Sequence, residues 1–354
     1  MAHYADSDAA MAPPKGARAL AITGAGLTCA LMAAAATITL LGNRHGASVR
    51  LDLEPVVETH GHAPAPPVLR AETATPDVVM PAISQAQYAG RALIADPALT
   101  ENSPLGPLPR IADDGRKPMT AYAAPAAAGK FRIAIVMTGL GLSAKATQAA
   151  ISGLPSAVTV GLLPYSSDAP RWLSAARAAG HEVVLQVPME PFDFPDSDPG
   201  PHTLRAGSAT NANAARLNWA LSRFTGYAGV TNLLGGRLLS DTEALAPVLT
   251  TLSRRGLYFY DAGNASQSVA PQVAGSLSAP FAQGNATIDT IQTALEIDRR
   301  LSDLETVARE HGSAVGTAFL YPVSVDRIAQ WAKGLQARGF VLVPVSAIVS
   351  APKQ

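Results

Sequence analysis

This chain is short of the groups that most thiol and soft-metal chemistry needs. It has one cysteine, Cys29, in 354 residues. A single thiol excludes an internal disulfide and removes thiolate zinc sites and Cys–His catalysis, while leaving the redox compartment open. Aromatic residues make up 5% and charged residues 15%, and 27 Lys and Arg balance 27 Asp and Glu. Charge this sparse and this balanced offers no footprint for nucleic acid. Absent too are a Walker loop, a Gly-x-Ser-x-Gly elbow and a glycine-rich dinucleotide turn. Gly139-Leu140-Gly141 is too short to count as one.

What the chain does have is hydrophobic residues, at 48%, arranged in distinct zones. After a short tail (1–18), residues 19–41 read ALAITGAGLTCALMAAAATITLL without a charge. A bilayer core needs about 20 such residues, so a single-span transmembrane anchor is expected. The rival is a cleaved signal peptide, whose apolar region normally runs to only about 7–15 residues. Flanking charges do not orient the span, because Lys15 and Arg18 precede it and Arg44 and Arg50 follow it.

Residues 42–129 form a Pro- and Ala-rich stretch expected to be a disordered linker. Within it, residues 104–123 are less plain and are read as able to pack on the C-terminal domain. His60 and His62 read as a solvated pair. From residue 130 to 354 the pattern alternates. Strand-like runs are FRIAIVMT (from Phe131), AVTVGLLP (from Ala157), EVVLQVP (from Glu182), YAGVTNLL (from Tyr227), GLYFYDA (from Gly256), SAVGTAFL (from Ser313) and FVLVPVSAIV (from Phe340). Helix-like segments fall at 143–153, 168–179, 213–224, 241–255, 287–311 and 325–338. This order predicts an α/β fold with a parallel sheet, as a barrel or an open doubly wound sheet, and function at the carboxyl ends of the strands.

IAIVMTGLG, GHEVVLQVPMEP, GVTNLLGGR and GLYFYDAGNASQS resemble, in order and spacing, the divergent polysaccharide deacetylase family over roughly residues 132–348. The resemblance implies a seven-stranded distorted (β/α) barrel. It also implies a carbohydrate-linked envelope protein, single-pass in the inner membrane with its C-terminal domain in the periplasm. The family's usual Asp-Asp pair corresponds here to Thr138-Gly139. Its histidine before Pro-Met corresponds to Gln186, its Asn-Asn-His-Met-Gly to Thr231-Asn232-Leu233-Leu234-Gly235, and its Gly-His-Pro to Gly316-Thr317-Ala318.

Amide hydrolysis of an N-acetyl sugar needs an activated water. A bound divalent ion supplies it when about three imidazole or carboxylate ligands converge. Thr, Gln and Leu at those positions provide none, so no cofactor and no metal ligand set is expected. His181 opens a strand at the far end, His311 ends a helix where it suits the macrodipole, and His202 stands alone in a rim loop.

The remaining candidates for binding are Glu190, Asn232, Arg237 and Asp261, with Asp261 the one candidate base. Asp261 reads equally as a turn residue in DAGN. Asp241 reads as a helix N-cap. Arg237 reads as an anion binder or as a partner of Glu190. The carboxylates Glu190, Asp193, Asp196 and Asp198 could hold a hard cation, but their spacing favours a proline-braced turn. The expected function is therefore binding of a glycan or envelope protein by a domain without metal-dependent deacetylase activity. The alternative is a hydrolase with a metal-free site at Asp261 or Glu190.

Overall fold

A computed structural model describes residues 95–350. The tail, the apolar span at 19–41 and the first part of the Pro/Ala-rich stretch lie outside the described residues. Among the described residues no helix is long and apolar enough to cross a membrane.

Among the described residues nine strands form one parallel sheet. They are β3 (Phe131–Leu140), β4 (Thr159–Leu162), β5 (Val183–Met189), β6 (Gly229–Leu234), β7 (Tyr258–Asp261), β8 (Phe281–Gln283), β9 (Ala286–Thr287), β10 (Ser313–Phe319) and β11 (Phe340–Leu342). The order across the sheet is β8-β7-β6-β5-β4-β3-β10-β9, and β11 pairs with the amino half of β3. All seven runs read from the sequence are strands. The β3 run alternates strictly: Ile133, Ile135 and Met137 join an outer cluster, while Ala134 and Val136 join an inner one with Val184, Tyr258, Tyr260 and Val315. A period of two with both faces apolar is what a parallel sheet covered on both sides requires.

The sheet has nine strands where a seven-stranded distorted barrel is expected. β8 and β9 lie at opposite ends of the hydrogen-bonded path, yet they are consecutive in the chain. Three Cα–Cα steps separate residues 283 and 286, about 11 Å at most. The sheet therefore curls into a half-barrel whose two ends are brought together by a covalent link. Glycine makes this possible. A Cβ on Gly263 (φ +73) would lie 2.3 Å from the Gly284 carbonyl oxygen, and one on Gly284 would lie 2.7 Å from that of Ala262. Asn285 completes the seam, since its N–H donates to Val315 O at 2.7 Å and its Oδ1 accepts from Val315 N–H at 2.8 Å.

Helices cover the outer face. They are α2 (Ala144–Gly153), α3 (Ala169–Ala178), α4 (Thr210–Leu221), α5 (Gly236–Leu239), α6 (Thr242–Arg254), α7 (Ala270–Leu277), α8 (Ala294–His311) and α9 (Pro322–Lys333). Ser143, Asp241 and Thr293 cap α2, α6 and α8 by side-chain acceptance of first-turn N–H groups. The helix expected over 287–311 begins only at residue 294. Buried Ile288 and Asp289 follow β9 first, with the Ile288 N–H donating to Thr317 O at 2.8 Å, and the Thr293 cap then starts the helix.

The segment assigned to the linker is structured from residue 97. β1 (Thr100–Ser103) and β2 (Gly106–Pro109) form an antiparallel hairpin, and α1 (Pro118–Ala121) follows. Leu99, Ala112 and Tyr122 join the inner cluster, so this strap closes the amino end of the half-barrel. Few residues of the strap are large and apolar, which is why its composition resembles a linker. Its attachments are specific all the same: Arg255 donates to Glu101 at 2.7 Å and to Pro109 O at 2.9 Å.

Candidate functional site

Residues directly opposed in a parallel sheet point to the same face. Gln186 opposes Thr231, which opposes Tyr260, and all three side chains face the interior near the carboxyl ends. Thr138 and Thr317 join them from β3 and β10. The layer under the mouth is therefore made of hydroxyls and one amide.

Most of these groups are already engaged. Thr138 Oγ1 donates to Ala318 O at 2.9 Å, and the Gly139 N–H donates to Gln186 Oε1 at 2.6 Å. Tyr260 and Thr317 hydroxyls meet at 2.6 Å across the seam, and Thr317 passes the chain on to Ala262 O at 2.8 Å. Burial pushes the Tyr260 phenol up, so it stays neutral. Thr231 Oγ1 is buried without a partner. Gln186 thus replaces an expected imidazole with a group that pins the β3 terminus. Leu233 and Thr317, at the other motif positions, carry no ionisable group.

Glu190, at the end of β5, holds the rim together. Its Oε2 accepts from Ala206 N–H at 2.7 Å, its Oε1 lies 3.6 Å from Arg237 Nε, and its carbonyl accepts from Arg237 and Leu238 N–H groups. Asn232 joins β6 to the turn after β7. Its Oδ1 accepts from Ala262 N–H at 2.9 Å, and its Nδ2 donates to Leu234 O at 2.6 Å and Asn264 Oδ1 at 3.1 Å. Asp261 is buried, with Oδ1 accepting from Gly263 N–H at 3.0 Å and Oδ2 from Ser268 Oγ at 2.6 Å. Oδ1 holds the DAGN turn and Oδ2 the loop beyond it. Asp241 caps α6 at 3.0 Å from two N–H groups.

His202 stacks on Trp219 with centroids 3.6 Å apart, and burial together with Arg223 and Arg216 lowers its pKa. His181 is buried, with Nδ1 2.9 Å from Val158 O and Nε2 3.1 Å from Ile151 O. Among the described residues no three His, Cys, Asp or Glu side chains gather as a metal-ion group would.

Some groups escaped sequence reasoning. Asp289, beyond β9, accepts from Phe319 N–H at 2.8 Å and Ser324 Oγ at 2.6 Å, and burial raises its pKa. It ties α9 to the seam. A recess of about 240 Å³ opens at the carboxyl ends of β5, β6 and β7, walled by Phe192, Asp193, Gly235 and Asn264. Two others, of about 260 Å³ between α4 and α6 and about 560 Å³ by β11, lie off this face. Phe192 gives the one usable sequence signal, an aromatic between Pro191 and Asp193 just past a strand.

The relatives agree with this frame. The chain is 24% identical to the uncharacterized protein YibQ of Escherichia coli K12 over 235 residues, which is 66% of this chain and 72% of that one. It is 23% identical to an uncharacterized protein of Haemophilus influenzae, over 55% of this chain and 68% of the other. The crystal structure of an uncharacterized protein from Agrobacterium tumefaciens C58 superposes with a TM-score of 0.68 at 42% identity, covering 69% of this chain and all of that one. Residues 135–349, the whole curled sheet from mid-β3 to the C-terminal turn, match a single family description. The chain belongs to the divergent polysaccharide deacetylase family.

Proposed function

We propose that the domain binds a cell-envelope glycan at the carboxyl-end face and does not deacetylate it through a metal. The observation that carries this reading is the interior layer of Thr138, Gln186, Thr231, Tyr260 and Thr317, whose members, Thr231 apart, bond to one another and to backbone. A cation that activates water needs anionic or imidazole ligands converging on one point. Glu190 and Asp261 are the nearest carboxylates in sequence on the carboxyl side of that layer, and each already holds a backbone turn.

Purified protein is expected to carry no stoichiometric zinc and to release no acetate from N-acetylated glycans. Gln186→His alone should change neither result, because the other ligand positions stay empty. Stoichiometric zinc by elemental analysis, or acetate release abolished by a chelator, overturns the reading. Chelator-insensitive release lost in Asp261→Asn would promote hydrolysis without metal instead.

The proposal includes the setting. The uncharged run at 19–41 anchors the chain in the inner membrane, and the domain lies in the periplasm. An alkaline phosphatase fused after Gln354 should be active in intact cells. Activity only from a cytoplasmic reporter at the same place would reverse the orientation.

A further inference from the structure

Among the described residues, Phe192 is the one aromatic among the large exposed hydrophobics, with 58% of its surface open. The ring is not loose. A Cβ added to Gly236 would lie 2.9 Å from Phe192 Cδ2 and 3.0 Å from Cε2, so one edge of the ring lies directly on that glycine. The turn beneath is braced too. Leu234 adopts φ +58 and Gly235 φ +97, and Asn232 Nδ2 holds the Leu234 carbonyl at 2.6 Å. A left-handed conformation at a non-glycine costs on the order of 1–2 kcal/mol and persists only where surroundings enforce it.

Two planar polar groups flank the ring in the same recess. Asn264 is exposed, and its Oδ1 is fixed by Asn232 at 3.1 Å, which leaves the amide N–H groups as donors. Asp193 is exposed, with Oδ2 held by Ser197 Oγ at 2.6 Å and Oδ1 left to accept. The cavity of about 240 Å³ is smaller than the roughly 300–1,000 Å³ of pockets for drug-sized ligands, so it suits one ring. A preordered aromatic face attracts C–H groups of partial positive charge. A donor and an acceptor beside it match hydroxyl groups. Asp193 disfavours phosphate, and one carboxylate does not make a cation site.

The geometry points to a single-pyranose subsite in which Phe192 stacks on a sugar ring while Asn264 and Asp193 bond its hydroxyls. This rests on the glycan-binding reading above and says where on the rim the sugar sits.

The test titrates the full-length chain in detergent with a β-1,4-linked N-acetylglucosamine tetramer and with a β-1,4-linked glucose tetramer, read by calorimetry. Phe192→Ala should weaken binding of the preferred tetramer at least tenfold and Asn264→Ala several-fold, while Phe192→Tyr stays within about twofold. Melting temperatures should hold, because Phe192 and Asn264 are exposed. Equal binding by wild type and Phe192→Ala overturns the subsite and leaves the glycan reading standing. Wild type that binds neither tetramer overturns both. Should Phe192→Ala lower the melting temperature, Asn264→Ala decides: undiminished affinity there overturns the subsite.

Discussion

A chain beginning at Lys130 should melt at least about 10 °C below one beginning at Ala95, or lose cooperative unfolding altogether. The strap at 95–129 buries Leu99 and Tyr122 against the amino end of the half-barrel and Leu108 in the outer cluster. Burying one such side chain contributes about 1.5–3 kcal/mol. Ordering the strap costs chain entropy that offsets part of this. The remaining domain would nonetheless expose Tyr258, Ala228 and Val184 of the inner cluster to water.

Polar ends would be stranded as well. Arg177, buried at 1% exposure, lies over the Tyr122 ring at 4.5 Å, and Tyr122 Oη accepts from Asp96 N–H at 2.9 Å. With total domain stability of about 5–15 kcal/mol, such losses are a large fraction. Calorimetric melts of the two truncated chains decide it. Equal melting temperatures would make the strap a passenger.

This strap shows where sequence reading stops. Strands β3 to β7, β10 and β11 are visible as apolar runs because parallel strands buried on both faces carry few polar residues. β8 and β9 are three and two residues long, below the length at which a period of two can be seen. The strap has five prolines from residue 97 to residue 118 and few large apolar side chains, so its composition is that of a linker. What orders it is a set of long-range partners, Arg255, Gly256 and Glu182, which no local pattern reveals.

The same limit applies at the mouth. Substituted motif positions are legible residue by residue, so Gln186 and Thr317 stand out at once. That Gln186 secures the Gly139 N–H, or that Tyr260 spans a seam to Thr317, depends on how the sheet curls. The sequence offers Asp261 a turn role beside a functional one, and Asp241 a cap role. Local hydrogen bonds account for both.

Glu182→Ala should destabilise the domain by about 3–5 kcal/mol, and Glu182→Gln by much less. The carboxyl group is fully buried at the amino end of β5. Its Oε1 accepts from Tyr258 Oη at 2.8 Å, Ser346 N–H at 3.1 Å and Thr159 Oγ1 at 3.3 Å, while Oε2 accepts from Ala124 N–H at 3.2 Å. One side chain thus joins strap, β4, β7 and the C-terminal turn. Alanine leaves the buried Ala124 N–H and the part-buried Ser346 N–H without acceptors and opens a cavity. Glutamine keeps the three bonds to Oε1 and loses the one to Ala124.

The two variants should also part in their response to pH. Burial raises the Glu182 pKa above its ordinary value, outweighing the donors that pull it down. A raised folded-state pKa means that the folded protein holds the proton longer. The stability this contributes is complete below the unfolded pKa, about 4.3, and is lost as pH rises through the folded value. Wild type should therefore lead Glu182→Gln most at acidic pH, and the gap should shrink toward neutrality. Chemical denaturation at several pH values between 4 and 8 measures it. A wild-type advantage that grows with pH would mean that the carboxylate is held ionised, and the assigned direction would be wrong.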